Sequence, residues 1–192
     1  MRNAALLFTC ALIISNSGCD LFQTREPQPP TQGSSNFITP TTYDKVLQNL
    51  VSAISDKNLN NYNNCFVDTT FRPYVFTAAD DARRSYPDVM NQWNLDAEQR
   101  YFRNIKEATA GIPSLTIPQN SPTFVSSDSV LYELDYTLYF PHNRTGVPQI
   151  VRGNMRLSLI TDGKRWAIYQ WRDSKTTPDS TWSYLKAVFS GG

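Results

Sequence analysis

Apolar residues between Tyr43 and Ile54 recur at spacings of three and four: Tyr43, Val46, Leu47, Leu50, Val51 and Ile54. That is the stripe of an amphipathic helix, and Thr41 or Thr42 stands where a cap is needed. A second, shorter helix is predicted with Leu59, Tyr62 and Phe66 inward, so that Asp56-Lys57-Asn58 forms the corner and Cys65 lies near the inward face. Phe71 to Phe76 reads as a short strand in which Pro73 marks an edge or a bulge. Residues 77–94 read as a loop. A third helix is predicted from Leu95 to Ala108, with Leu95, Phe102 and Ile105 on one stripe, Asn94 or Asp96 as cap, and Gly111 and Pro113 ending it.

The pattern then changes period. Strands are predicted from Ser114 to Ile117 and on to Phe124, from Ser129 to Phe140, from Pro148 to Thr161 and from Lys164 to Arg172, joined by the 141–146 turn and by Asp162-Gly163, a strong hairpin signal. Val130, Tyr132, Leu134, Tyr136, Leu138 and Phe140 alternate with Leu131, Glu133, Asp135, Thr137 and Tyr139, which gives one buried and one wet face. Val151, Met155, Leu157 and Leu159 share the inward face of the next strand, and Trp166 and Ile168 that of the last. Arg152 and Arg156 are predicted across from Glu133 and Asp135 on the outer face. Asp179-Ser180-Thr181 caps a final short helix whose Trp182, Leu185, Val188 and Phe189 pack back on the domain. The expected fold class is α+β, a curved antiparallel sheet packed against N-terminal helices.

Ahead of this pattern the chain is of two different kinds. Residues 1–18 read as a signal peptide: Arg2, then an apolar run from Ala4 to Ile14, about 11 residues and short of the roughly 20 a membrane-crossing helix needs. Ser17-Gly18-Cys19 resembles the lipobox of bacterial lipoproteins, in which the cysteine is acylated, palmitate being one such chain, and becomes the first residue; Asn16 stands where an aliphatic residue is usual. The alternative is secretion with cleavage near Ser17. Residues 19–41 are polar and rich in Pro, Gln, Ser and Thr, a tether without the apolar surface to fold. Residues 42–192 form the domain.

Composition narrows the chemistry. Lys plus Arg number 18 and Asp plus Glu 17, and removal of Arg2 would bring them level, so no global field draws in nucleic acid. Cys10 lies in the signal peptide and Cys19 at the acylation site, which leaves Cys65 with no intramolecular disulfide partner and the character of a small buried hydrophobe. His142 is the single histidine and falls in a turn, so neither a Cys/His pair nor a metal cluster is expected. No Gly-rich phosphate loop is present. No cofactor is implied.

The order of elements, the turn Ala53-Ile54-Ser55-Asp56-Lys57-Asn58 leading into Tyr62 and Phe66, and the hairpin Asp162-Gly163-Lys164-Arg165-Trp166-Ala167-Ile168 resemble the nuclear transport factor 2-like superfamily. That is the cone fold of SnoaL-like cyclases and ketosteroid isomerase. The resemblance implies a cone whose mouth Tyr74, Tyr86, Trp93, Tyr132, Tyr136 and Trp171 either line as a pocket for a small amphipathic ligand or fill as core. Isomerase-like chemistry would need an acid inside the cone, and the long strand offers Tyr132 and Tyr136 inward but turns Glu133 and Asp135 outward. The expectation is therefore a lipid-anchored extracytoplasmic lipoprotein, on the periplasmic face or at the outer membrane, whose cone is a non-catalytic binding or assembly module. Its partners would be the membrane through Cys19, a protein or small ligand, and a second copy through Leu131, Tyr139 and the Arg152/Arg156 row. The alternative is a SnoaL-like enzyme using Tyr132, Tyr136 and Asp80 or Asp81.

Overall fold

A computed structural model describes residues 36–191. The signal-peptide and lipidation sites, Cys19 included, and most of the tether lie outside the described residues.

Helix α1 (Tyr43–Ser55) buries Val46, Leu47, Leu50, Ala53 and Ile54, the stripe its spacing dictates. Thr42 is its N-cap residue but makes no side-chain cap bond. At Lys57 the backbone turns through a positive φ of 50° and starts α2 (Leu59–Asn63), which Asn58 caps by accepting from the Asn61 N–H. The packed unit begins before Thr42, at residues the sequence pattern assigned to the tether. Asn49 of α1 is buried because its amide accepts from Ile38 N–H at 2.9 Å and donates to Ile38 C=O at 2.6 Å, and Pro40 C=O accepts from Trp166 N–H. Three backbone groups of an irregular segment are thereby satisfied.

The stretch predicted as a strand from Phe71 shrinks to β1 (Val75–Thr77), and the expected loop after it contains α3 (Asp80–Ser85) and α4 (Pro87–Met90). Both helices are short and carry few apolar residues, so no periodic stripe announces them. Helix α5 (Leu95–Glu107) follows, with the Asn94 side chain accepting from Ala97 N–H. The sheet comprises β1, β2 (Ser114–Thr116), β3 (Phe124–Val125), β4 (Ser129–Tyr139), β5 (Ile150–Thr161) and β6 (Trp166–Ser174), in the order β1-β6-β5-β4-β2 with β3 also on β4. All pairings are antiparallel except β1 with β6. The chain is α+β with helices gathered on one face, as its pattern predicts.

The inward residues of β4 and β5 are buried as alternation requires. Outside, Glu133 stands across from Arg156, but Arg152 lies across from Thr137 and pairs with Asp179 at 2.7 Å instead of with Asp135. In β6 the alternation breaks. Ala167 and Ile168 are both buried, Trp166 is half-buried, and a register shift opposite Ser158/Leu159 turns Trp171 and Asp173 inward. A β-bulge of this kind re-aims every side chain beyond it. Helix α6 (Trp182–Ser190) then packs against α5, with α3, α4 and β5 beside it.

Candidate functional site

Two carboxylates occupy the cone interior, and neither comes from the long strand. Glu98 is on the first turn of α5, on the same stripe as Tyr101, Phe102 and Ile105, and is 1% exposed. One of its oxygens accepts from Tyr62 Oη at 2.5 Å; the other accepts from Tyr74 Oη at 2.9 Å and Trp93 Nε1 at 2.8 Å. Lys186 of α6, 0% exposed, donates to both, at 2.5 and 2.6 Å. Its ammonium also lies 3.8 Å from the ring centre of Trp171 and 4.1 Å from that of Phe76, with Trp93 and Tyr101 within 5.8 Å. Burial pushes the Lys186 ammonium below the ordinary lysine range, and Glu98 pulls it part of the way back. The three tyrosines around Glu98, Tyr62, Tyr74 and Tyr101, are pushed up by burial first and by the carboxylate second.

Asp173 sits where the bulge of β6 aims it. Burial raises its carboxyl above the usual range, while bonds from Ser183 and Tyr136 oppose the rise. Trp182 N–H donates to Tyr136 Oη at 2.7 Å, and that hydroxyl donates to Asp173 Oδ1 at 2.8 Å. Ala79 N–H donates to Ser183 Oγ at 2.9 Å, and Ser183 gives both its hydroxyl and its backbone N–H to Asp173 Oδ2. These bonds tie the start of α6 to β4, β6 and the segment before α3. Trp182 completes the tie by donating from Nε1 to Tyr101 Oη at 2.8 Å and meeting Trp171 edge to face.

Four of the residues proposed from sequence as pocket lining meet here, each at most 7% exposed, with Tyr74 and Trp93 on Glu98, Tyr136 on Asp173 and Trp171 under Lys186, whereas Tyr132 is buried against Tyr43 of α1. Tyr86 instead sits partly buried against Tyr184. The acids considered for an enzyme are elsewhere: Asp80 pairs with Arg83 and Asp81 with Lys175, all partly exposed. His142 is buried, its Nδ1 accepting from Arg144 N–H and its Nε2 facing Pro148 C=O, a tautomer assigned from those partners. Cys65 is buried, bonds to Asn61 C=O, and burial pushes its thiol far up. Among the described residues no three His, Cys, Asp or Glu side chains gather to hold a metal ion, and no helix is long and apolar enough to cross a membrane.

No family model and no curated protein matches the sequence. Solved structures do match. A Novosphingobium aromaticivorans protein named as a "putative aromatic ring hydroxylase" superposes with a TM-score of 0.53 at 12% identity, covering 73% of this chain and 91% of its own. A nuclear transport factor 2-like superfamily protein of Salmonella enterica serovar Typhimurium does so at 0.51 and 10% identity, covering 71% and 90%. The fold is the nuclear transport factor 2-like cone. Identities this low carry the cone itself and none of its chemistry.

In this cone the site is assembled from residues the sequence pattern passed over. Glu98 is three residues after Leu95 and four before Phe102, on the buried stripe of α5; Lys186 is four after Trp182 and three before Phe189, on the buried stripe of α6. One charge of each sign, each at a core position of its own helix, was the available signal. For Asp173 the signal was weaker. Ile168 and Trp171, both large and apolar at a spacing of three, cannot face the same way in an unbroken strand.

Proposed function

We propose that this chain is a lipid-anchored, extracytoplasmic module of the bacterial envelope, held to the membrane through acylated Cys19 and acting by binding through the outer face of its sheet, not by catalysis. One observation carries the non-catalytic part. Both oxygens of Glu98 and both of Asp173 are taken up by the protein's own donors, Lys186, Tyr62, Tyr74 and Trp93 for the first and Tyr136 and Ser183 for the second. A general base needs a lone pair facing substrate: the five bonds to Glu98 leave it none, and Asp173, 2% exposed, has three of its four acceptor sites engaged by Tyr136 and Ser183. We read α6 as closing the cone, since its Trp182 and Lys186 are wholly buried against Trp171, Tyr101 and Tyr136. The anchor rests on the sequence: Arg2, the short apolar run, the small residues Ser17 and Gly18, Cys19, and the polar stretch behind it. The outer face follows from what remains, since the inner face is covered by helices. Leu131, Tyr139, Arg152 and Arg156 are its contact residues, and a second copy is one candidate partner.

Cys19→Ser is expected to abolish incorporation of labelled palmitate and to release the chain from membranes; a labelled, membrane-bound variant refutes the anchor. Photo-crosslinkers placed in intact cells at Leu131 and Tyr139 are expected to give a discrete adduct, at twice the chain's mass for self-association. Loss of that adduct to a smear, or its absence, refutes binding through this face.

A further inference from the structure

The interior holds an ammonium with more recognition than burial of one lysine requires. The Lys186 nitrogen faces both oxygens of Glu98, the ring faces of Trp171 and Phe76 at 3.8 and 4.1 Å, and Trp93 and Tyr101 farther out. Ring faces carry negative potential and attract a desolvated cation, and a carboxylate supplies the counter-charge. Glu98 is in turn fixed by Tyr62, Tyr74 and Trp93, so it is oriented without Lys186. The ring of Trp182, 5.9 Å from the nitrogen, shares α6 with Lys186; the other groups of this cage belong to β1, α2, α5, β6 or the segments beside them.

We propose that Phe76, Trp93, Glu98, Tyr101 and Trp171 form a binding site for primary alkylammonium ions that Lys186 occupies in cis, which rests on the reading above that α6 closes the cone. The two short N–H···O bonds need hydrogens on nitrogen, so the site takes a primary ammonium and rejects a quaternary one. The four-carbon stem of Lys186, wholly buried, sets the length of the guest.

In the full chain carrying Lys186→Ala, n-butylammonium is expected to raise the melting temperature saturably and to bind at least about tenfold tighter than 1-butanol, with tetramethylammonium giving no shift. Adding Glu98→Gln is expected to erase that preference. An equal response to butanol and butylammonium reduces the site to an apolar hole and overturns the proposal, as does no response to either. Lys186→Met keeps the stem and removes only the charged end, which covers an alanine variant that fails to fold. It is expected to melt higher in ammonium chloride than in sodium chloride at equal ionic strength, and no difference overturns the proposal. Hydrogen exchange of the α6 amides in the unaltered chain separates this failure from that of the closed cone: slow exchange without amine rescue removes the cage alone, whereas fast exchange removes the closed cone.

Discussion

Replacing Lys186 by Met tests whether the Glu98–Lys186 pair governs the stability of the domain. Methionine matches the stem in length and apolar character, so the change in packing is small and the change in charge is nearly everything. What remains is Glu98 at 1% exposure with three neutral donors and no cation. Breaking a buried pair by removing one partner costs about 3–5 kcal/mol, and the donors from Tyr62, Tyr74 and Trp93 keep the loss toward the lower end, near ~3 kcal/mol. For a domain of this size each kcal/mol lowers the melting temperature by roughly 2–4 °C, so a fall of about 6–12 °C is expected. Urea unfolding followed by tryptophan fluorescence reads the same loss as a lower midpoint at unchanged slope. Glu98→Gln with Lys186→Met removes both charges. The Gln oxygen can still accept from Tyr74 and Trp93 while its amide donates to Tyr62, leaving one hydroxyl proton without an acceptor. The double variant should therefore be more stable than the sum of the single losses predicts, by about 1–3 kcal/mol. A Lys186→Met chain within about 1 kcal/mol of the parent, or strict additivity in the double variant, would show that the pair is not a coupled unit and refute the reasoning.

Asp173→Asn puts an amide where three donors from Tyr136 and Ser183 converge on a carboxyl, so at least one of them loses its acceptor; a loss of about 2–3 kcal/mol is expected in chemical denaturation, and a neutral outcome would contradict that convergence. The same variant tests a pH dependence. Between the ordinary value of 3.8 and its raised native value, the folded chain holds a proton on Asp173 that the unfolded chain has lost, so this group makes stability fall as pH rises through that window, and the Asn variant should lack the fall. Gly153→Ala would place a Cβ 2.6 Å from Ser174 C=O and 2.8 Å from Tyr136 Oη, and a loss of about 1–3 kcal/mol is expected, with an unchanged melting temperature speaking against the close approach. In alkaline titration followed by tyrosinate absorbance, Tyr62, Tyr74, Tyr101, Tyr132 and Tyr136, half of the ten tyrosines, should ionise only on unfolding, because burial raises each above its ordinary value of 10.0; free titration of all ten in folded protein would refute their burial.

What could be read from the sequence was whatever depends on period. The stripe of α1, the alternation of β4 and the Asp162-Gly163 turn, where Gly163 takes a φ of +85°, depend on local spacing and local backbone preference. Helices α3 and α4 escaped because six and four residues are too few to show a period, and Asp80, Asp81, Arg83 and Arg84 read equally well as loop. The interior escaped for a different reason. Glu98 and Lys186 are 88 residues apart, and the spacing marks each only as a charge on the apolar stripe of its own helix; only the tertiary fold makes them partners. Tyr74, Trp93, Tyr136 and Trp171 were recognisable as inward aromatics, but their function as donors and ring faces depends on Glu98, Asp173 and the bulge that turns β6 over. Low charge and abundant aromatics gave the character of the core and said nothing of its polar centre.

The parallel pairing of β1 with β6 sets an order in which the domain can be completed. Val75–Thr77 must wait for Gln170–Arg172, and Phe66 and Val67 for Ile168, so the amphipathic helices α1, α2 and α5 are all synthesised before the hairpins that cover them. Contacts of such long sequence separation close late and slowly, and until they close the apolar stripes lie open to any hydrophobic partner. A ribosome that stalls before β4 releases helices without a sheet to lie on, and one that stalls before β6 releases a sheet that cannot yet pair with Phe66 and Val75–Thr77. Such a product is a substrate for chaperones and proteases, and the conversion of a nascent chain into a cone is a single late event governed by its last third.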